Sequence, residues 1–202
     1  MSCHSPHSCK PLPKQELGPL FIFGDSLYDV GNNNYMNTTA VVNFQPYGQT
    51  FFKFPTGRFC DGREIPDFIA EYAGLPLILP YLYPGIKDFV KGVNFASGGA
   101  RALDETFSES GFIYSHADFH TAMNRIIDHP SKYGMKEVMR GCCGIGPLRG
   151  TNSCGGQGDI KEYVFFDATH LTHTSYELIA EMMWSGSSNI TTPLTLKSLF
   201  YA

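Results

Sequence analysis

Three short apolar runs, each followed by small or polar residues, constrain the fold of this 202-residue chain more than any other feature. They cover residues 20–23, 92–96 and 163–166. Apolar runs of this length that stop at a turn are typical of buried parallel strands. Each run is followed by an amphipathic helical pattern, and the three patterns cover residues 65–73, 119–127 and 174–184. This alternation predicts an α/β layer fold.

Four further local features lead to predictions. Thr174 and Glu177 have the spacing of a capping box, which predicts that the last of the three helices begins there. A further strand is predicted within residues 111–119. Residues 44–63 carry glycine and proline at short intervals and are predicted to form an ordered surface loop. The glycine-rich residues 140–160 are predicted to form a loop that regular backbone hydrogen bonds do not hold. Cysteine cross-links are the natural candidates for holding it.

The charge and hydropathy patterns exclude two classes of partner. Fifteen Lys and Arg against 19 Asp and Glu give a formal charge of −4, and neither sign forms a run that could hold a phosphate backbone, so nucleic acid is not expected. No apolar run approaches the ~18 residues that cross a bilayer, so integral membrane association is not expected. With 43% hydrophobic residues the chain can bury a sizeable core. We predict one domain over residues 19–202, preceded by a disordered segment over residues 1–18.

Six cysteines and two glycosylation sequons favour an exported protein. No CxxC pair occurs among the cysteines, so a zinc site is not expected. Asn37 and Asn189 each begin an N-x-T tripeptide, the acceptor for N-glycosylation in exported chains. The first residues contain no apolar stretch behind a basic segment, so no secretory signal is visible in the sequence.

The candidate catalytic residues follow the predicted strands, where functional groups of parallel sheets gather. Ser26 follows the first run, Gly98 the second, and Asp167 and His170 the third. Across a tight turn the Asp167 carboxylate can reach the His170 Nδ1, and His170 Nε2 can then take the proton of the Ser26 hydroxyl. The backbone N–H groups of Ser26 and Gly98 are candidates for an oxyanion hole. The set has the parts of a serine hydrolase.

Spacing alone leaves other interpretations open. In a purely structural interpretation, Asp167 caps backbone N–H groups, His170 is a surface residue, and the Ser26 hydroxyl caps a turn. Ser97 is the poorer nucleophile, because a nucleophile elbow needs glycine where Phe95 stands. Asp167, His170 and His173 could hold a divalent metal, but no further carboxylate or histidine motif supports this, and no cofactor or metal is expected.

Longer motifs resemble a known family. FIFGDSLYDVGNNNY resembles the opening block of the plant GDSL esterase/lipase family, in the SGNH hydrolase superfamily, and the resemblance continues through PYGQTFFKFPTGRFCDGREIPDFIAEYAGLPLILPYL, GVNFASGGARAL, PSKYGMKEVMRGCCGIGPLRGTNSCGG and YVFFDATHLTHTSYELIAEMMWSG. The resemblance implies a three-layer α/β/α sandwich with a parallel sheet. It also implies a secreted, cofactor-free hydrolase of carboxylic esters and lipids. In this interpretation Ser26 is the nucleophile, Asp167 and His170 complete the triad, and Gly98 is an oxyanion donor.

The sequence departs from the family pattern in its centre. The family's GxND block, whose asparagine serves the oxyanion, does not occur anywhere in the chain. After Phe107 the resemblance jumps to the segment before PSKYG, which predicts a central deletion near residues 107–111 and an incomplete sheet. We therefore expect a serine ester hydrolase by family. The alternatives are a catalytically impaired remnant or binding protein of the same fold, or an incomplete gene model of a longer active enzyme.

Overall fold

A computed structural model describes residues 2–3, 9–10, 18–100, 115–144, 159–186 and 190–201 of the chain. The strands are β1 (Ser2–Cys3), β2 (Cys9–Lys10), β3 (Leu20–Ile22), β4 (Gly92–Asn94), β5 (His116–Ala117), β6 (Glu137–Gly141), β7 (Tyr163–Phe165) and β8 (Thr191–Thr192). The α-helices are α1 (Ile65–Tyr72), α2 (Phe119–Asp128), α3 (His173–Ser185) and α4 (Leu196–Tyr201). Short 3₁₀ helices cover Asn32–Tyr35, Pro130–Tyr133 and Ile160–Glu162.

Two parallel strand pairs and the helices between them give the α/β fold that the sequence predicts. β3 pairs with β4, and β6 pairs with β7. Leu20 lies opposite Gly92, where a side chain would collide with the Leu20 backbone and the backbone has a φ of +101°, so only glycine fits. Within the described residues the two parallel pairs are separate two-stranded sheets. β1 and β2 pair antiparallel, as do β5 and β8.

The main core lies between the helices and β7. Helices α1 and α3 pack together, and α2 joins them. The largest cluster of buried side chains includes Phe68 of α1, Ile126 of α2, Ile179 of α3 and Val164 of β7. Of the described helices, none is long and apolar enough to cross a bilayer.

Helix α3 begins earlier than the sequence predicted. Its N-cap is Thr172, whose side chain accepts a hydrogen bond from the Ser175 N–H at 3.2 Å. Thr174 and Glu177 therefore lie inside the helix, and the predicted capping box is wrong. The Thr172 hydroxyl also donates to the Tyr163 carbonyl oxygen at 2.8 Å. This tertiary contact with β7 favours Thr172 as the N-cap of α3, and the local sequence pattern does not contain it.

The sequence predicted a surface loop over residues 44–63. In the structure this loop is partly buried. Tyr47, Phe59 and Cys60 are buried in it. Gly48 N–H donates to the Cys60 carbonyl oxygen at 2.9 Å, so the two halves of the loop bind each other. Regular backbone pairing is not needed to bury these side chains, and a search for periodic patterns therefore does not detect them.

Several predictions fall wholly or partly outside the described residues. Of the strand predicted within 111–119, the structure describes only the pairing of β5 with β8, and residues 111–114 lie outside. The central deletion near 107–111, Asn189 and residues 145–158 lie outside as well. Among the described cysteines, Cys143 is disulfide-bonded, whereas Cys60 and Cys142 are free thiols.

Candidate active site

Ser26 lies in a turn that begins three residues after β3. The Asp25 side chain fixes this turn, because its Oδ1 accepts the Leu27 N–H at 2.9 Å, and the Asp25 carbonyl oxygen accepts the Tyr28 N–H at 3.2 Å. The turn directs the Ser26 hydroxyl to the imidazole of His170, where Oγ and Nε2 are 2.9 Å apart. This is the distance of a hydrogen bond between a nucleophile and its base.

Asp167 and His170 lie in the tight turn that follows β7. The Phe166 N–H donates to the His170 carbonyl oxygen at 2.8 Å and closes the turn. The Asp167 Oδ2 lies 2.8 Å from His170 Nδ1. The Asp167 Oδ1 accepts the backbone N–H groups of Thr169 and His170, each at 2.8 Å. With its proton on Nδ1, the imidazole presents an acceptor at Nε2 to Ser26.

The environment of Asp167 favours its ionised form. Burial raises the pKa of this carboxyl, but the hydrogen bond and charge of His170, with the N–H groups of Thr169 and His170, outweigh burial, and the pKa lies below its usual value. An ionised Asp167 can orient the imidazole and stabilise the imidazolium that forms when His170 takes a proton.

Gly98 lies near this group, but its N–H already has an acceptor. It donates to the Asp29 Oδ2 at 2.9 Å. A side chain at Gly98 would collide with the ring of Phe59, and that ring lies 4.9 Å from the His170 ring. The structure thus brings Gly98 to the neighbourhood of His170, and its role as an oxyanion donor stays a prediction.

The two alternative site residues have other partners. The Ser97 hydroxyl donates to the Asn33 Oδ1 at 2.7 Å. His173 Nδ1 accepts the Arg63 N–H at 2.9 Å. No group of three or more potential metal ligands comes together within the part of the chain that the structure describes.

Sequence reasoning missed two residues that surround the site. The Tyr47 hydroxyl donates to the Asp167 Oδ2 at 2.8 Å, and Phe59 packs against His170. Both residues belong to the irregular loop over 44–63, and no periodicity marks them. The available signal was their presence in the stretch PYGQTFFKFPTGRFCDGR, which lies within the resemblance to the family.

Comparison with known proteins identifies the family. The family model described as GDSL-like Lipase/Acylhydrolase matches residues 20–118. GDSL esterase/lipase 1 of Arabidopsis thaliana is 32% identical, over 90% of this chain and 89% of its own length. A GDSL lipase of Tanacetum cinerariifolium is 30% identical, over 94% of this chain and 89% of its own length. GDSL esterase/lipase 7 of Arabidopsis thaliana is 55% identical over a shorter stretch, 46% of this chain and 26% of its own length.

The lengths of these alignments differ from the length of the chain. The alignment with the first relative runs over 334 positions, more than the 202 residues available, so it includes positions with no residue from this chain. The aligned region still spans most of the length of both sequences. The chain therefore belongs to the plant GDSL esterase/lipase family of ester hydrolases.

Proposed function

We propose that the chain hydrolyses carboxylic esters, lipids among them, through Ser26, His170 and Asp167. The observation that carries the proposal is the unbroken line of contacts from Ser26 Oγ to His170 Nε2 at 2.9 Å and from His170 Nδ1 to Asp167 Oδ2 at 2.8 Å. These are the contacts of a nucleophile, a general base and a group that orients the base. Family membership supports the same class of reaction.

The reaction follows in two halves. His170 Nε2 takes the Ser26 proton while Oγ attacks the ester carbonyl carbon, and the tetrahedral intermediate expels the alcohol, which receives that proton. Water then attacks the acyl group on Ser26, and His170 again takes and returns a proton. The Ser26 N–H is one candidate donor to the oxyanion. The Gly98 N–H is a second, available when Asp29 releases it.

A pair of serine variants tests the proposal. Purified wild type should hydrolyse short-chain nitrophenyl esters and react with a fluorophosphonate probe at one serine. Ser26→Ala should lose roughly 10⁴-fold or more of the activity and all labelling, because the nucleophile is gone. Ser97→Ala is the matched control, since Ser97 lies near the same region but donates to Asn33. Labelling that persists in Ser26→Ala, or is absent from folded wild type, contradicts the mechanism.

A catalytically impaired remnant that binds esters is the second candidate. Two observations favour it: the Asp29 carboxylate occupies the Gly98 N–H, and the GxND block is absent from the sequence. Losing one oxyanion donor costs about 100- to 1000-fold in rate. A folded wild type that binds a nonhydrolysable ester analogue, with no turnover and no labelling of Ser26, would favour this candidate.

We propose further that the chain is exported. A disulfide at Cys143 is typical of proteins that fold in an oxidising compartment. Asn37, the first residue of one sequon, is exposed, as glycosylation requires. The test is expression through a secretory pathway. A glycan found on the Asn37 peptide of wild type and absent from Asn37→Gln supports export. An unmodified Asn37 in secreted material contradicts the use of this sequon.

A further inference from the structure

We infer that Tyr47 is a positioning residue that holds Asp167 in the orientation His170 needs, an inference that rests on the proposed function. The Tyr47 hydroxyl donates to the Asp167 Oδ2 at 2.8 Å. That same oxygen lies 2.8 Å from His170 Nδ1. The two hydrogen bonds to Oδ2 come from different segments of the chain, one from the irregular loop over 44–63 and one from the turn after β7.

The remaining contacts of the carboxylate are all local. Oδ1 accepts N–H groups of Thr169 and His170, two and three residues away in sequence. These local contacts orient the carboxylate within the turn, whose backbone is anchored by the hydrogen bond from the Cys143 N–H to the Phe166 carbonyl oxygen at 2.7 Å. Among the described hydrogen bonds of the Asp167 carboxylate, the one from Tyr47 alone comes from a distant part of the chain, 120 residues earlier.

The ring of Tyr47 is packed on several sides at this contact. Only 1% of the residue is exposed. The ring meets Phe44 at 5.2 Å and Phe166 at 5.1 Å between ring centres, both edge to face. Phe166 directly precedes Asp167, so the same tyrosine packs on the backbone neighbour of the carboxylate that it binds. A buried phenol gains a partner here, and a buried carboxylate gains a donor.

The contact has an electrostatic consequence. A hydrogen bond to the ionised carboxylate disperses its charge, so a carboxylate without Tyr47 is the stronger base and holds the imidazolium more tightly. Cys142 and Tyr176 also lie within electrostatic range of Asp167. Neither residue changes when Tyr47 is substituted, so a difference between the variants reports on the Tyr47 hydroxyl.

The test is Tyr47→Phe, which keeps the ring and removes the hydroxyl. Activity on a nitrophenyl ester should fall about tenfold or more in kcat/KM, as expected for a hydrogen bond to a charged group. The acid limb of the pH profile should move to higher pH. In nuclear magnetic resonance spectra the His170 Nδ1 proton should move further downfield, because its acceptor is more basic.

Tyr176→Phe is the matched control. Tyr176 is equally buried, and among the described hydrogen bonds none joins its hydroxyl to Asp167. This variant should leave the His170 proton resonance and the pH profile as in wild type. An unshifted resonance in folded Tyr47→Phe overturns the inference. The resonance does not require turnover, so a wild type without activity would count against the proposed function while the role of Tyr47 is still decided.

Discussion

The Asp29 carboxylate and the oxyanion of the proposed reaction compete for the same donor, the backbone N–H of Gly98. Asp29 is fully buried, its Oδ1 accepts the N–H groups of Gly31 and Asn32, and its Oδ2 accepts that of Gly98. Burial raises the pKa of this carboxyl, and the N–H groups of Gly98, Gly31 and its neighbours offset part of that rise. The carboxylate therefore depends on these donors, and Gly98 depends on it for an acceptor.

Asp29→Asn should destabilise the protein through this contact. The asparagine Oδ1 can keep the N–H groups of Gly31 and Asn32, but its NH₂ group faces the Gly98 N–H, and two donors cannot bond. We expect a loss of about 1 to 3 kcal/mol in the free energy of unfolding, measured in urea at neutral pH. Asp25→Asn is the control, since asparagine can still accept the Leu27 N–H there. Equal stability of Asp29→Asn and wild type would show that the Gly98 contact contributes nothing.

At the scale of elements, the first residue of α3 couples this helix to the loop over 44–63. His173 Nδ1 accepts the Arg63 N–H, and the His173 N–H donates to the Asp61 Oδ1 at 2.7 Å. Burial, reinforced by the charge of Arg63, lowers the pKa of His173 to about 4. The imidazole is thus neutral in the folded protein over a range of pH in which an exposed histidine is protonated.

This depressed pKa predicts a loss of stability in acid. Between about pH 6.5 and pH 4 the unfolded chain binds a proton at His173 that the folded protein does not, so the free energy of unfolding falls as the pH is lowered. The contribution of this group reaches at most about 3 kcal/mol. His173→Asn, whose Oδ1 can accept the Arg63 N–H, should flatten this dependence in urea titrations at several pH values.

Other buried groups change the free energy of unfolding in the opposite direction as the pH falls. The test therefore compares the pH dependence of His173→Asn with that of wild type. Burial raises the pKa of Asp61 and Glu64, which favours the folded state at low pH. These groups are common to both proteins and cancel in the difference. His120→Asn, at an exposed position on α2, should retain the wild-type dependence. If the curves of His173→Asn and wild type are parallel, the partly buried imidazole of His173 does not control acid stability.

Elements with a local signal were predictable from the sequence, and those fixed by tertiary contacts were not. The apolar periodicity of α1 and the short run of β7 specify buried faces, and both elements form where predicted. Strand β6 was not predicted, because it is partly exposed and includes Met139, which is 81% exposed, so no apolar run marks it. Likewise, Tyr47 is buried by a loop whose course depends on distant partners.

At the scale of the whole molecule, the proposed site joins two separate sheets. Ser26 follows β3 of one parallel pair, whereas His170 follows β7 of the other. The alignments with relatives contain positions that no residue of this chain fills, and the deletion near residues 107–111 stays a prediction. The predicted loss of a central strand would leave two parallel pairs unjoined, as they are in the described residues, since a parallel sheet loses its continuity when an inner strand is removed.

The β3–β4 pair carries the smaller core. Its buried Ile22 belongs to a cluster whose other buried members are Ala70 and Ile78, with a few partly buried side chains packed against them, whereas β7 contributes to the larger main core. On the outer side, Phe95 stacks with Phe21 and is partly exposed. Fewer apolar contacts lower the free energy needed for local opening. The sheet that holds the proposed nucleophile should therefore open before the core that holds its base.

Hydrogen exchange measures this difference directly and needs no catalytic activity. The amides of Asn94 and Phe95 are bonded to the carbonyl oxygens of Leu79 and Ile22 at 2.9 and 2.8 Å, yet peptides over residues 92–96 should exchange about tenfold or more faster than peptides over 163–166. The second peptide is the matched control, a strand of the same length in the main core. In urea, the 92–96 peptides should lose protection before the fluorescence of Trp184 changes, because that single tryptophan lies between Tyr72 and Phe200 and packs against the main core. Equal protection of both peptides, with one coincident transition, would mean that the two sheets unfold as a single cooperative unit despite their separation.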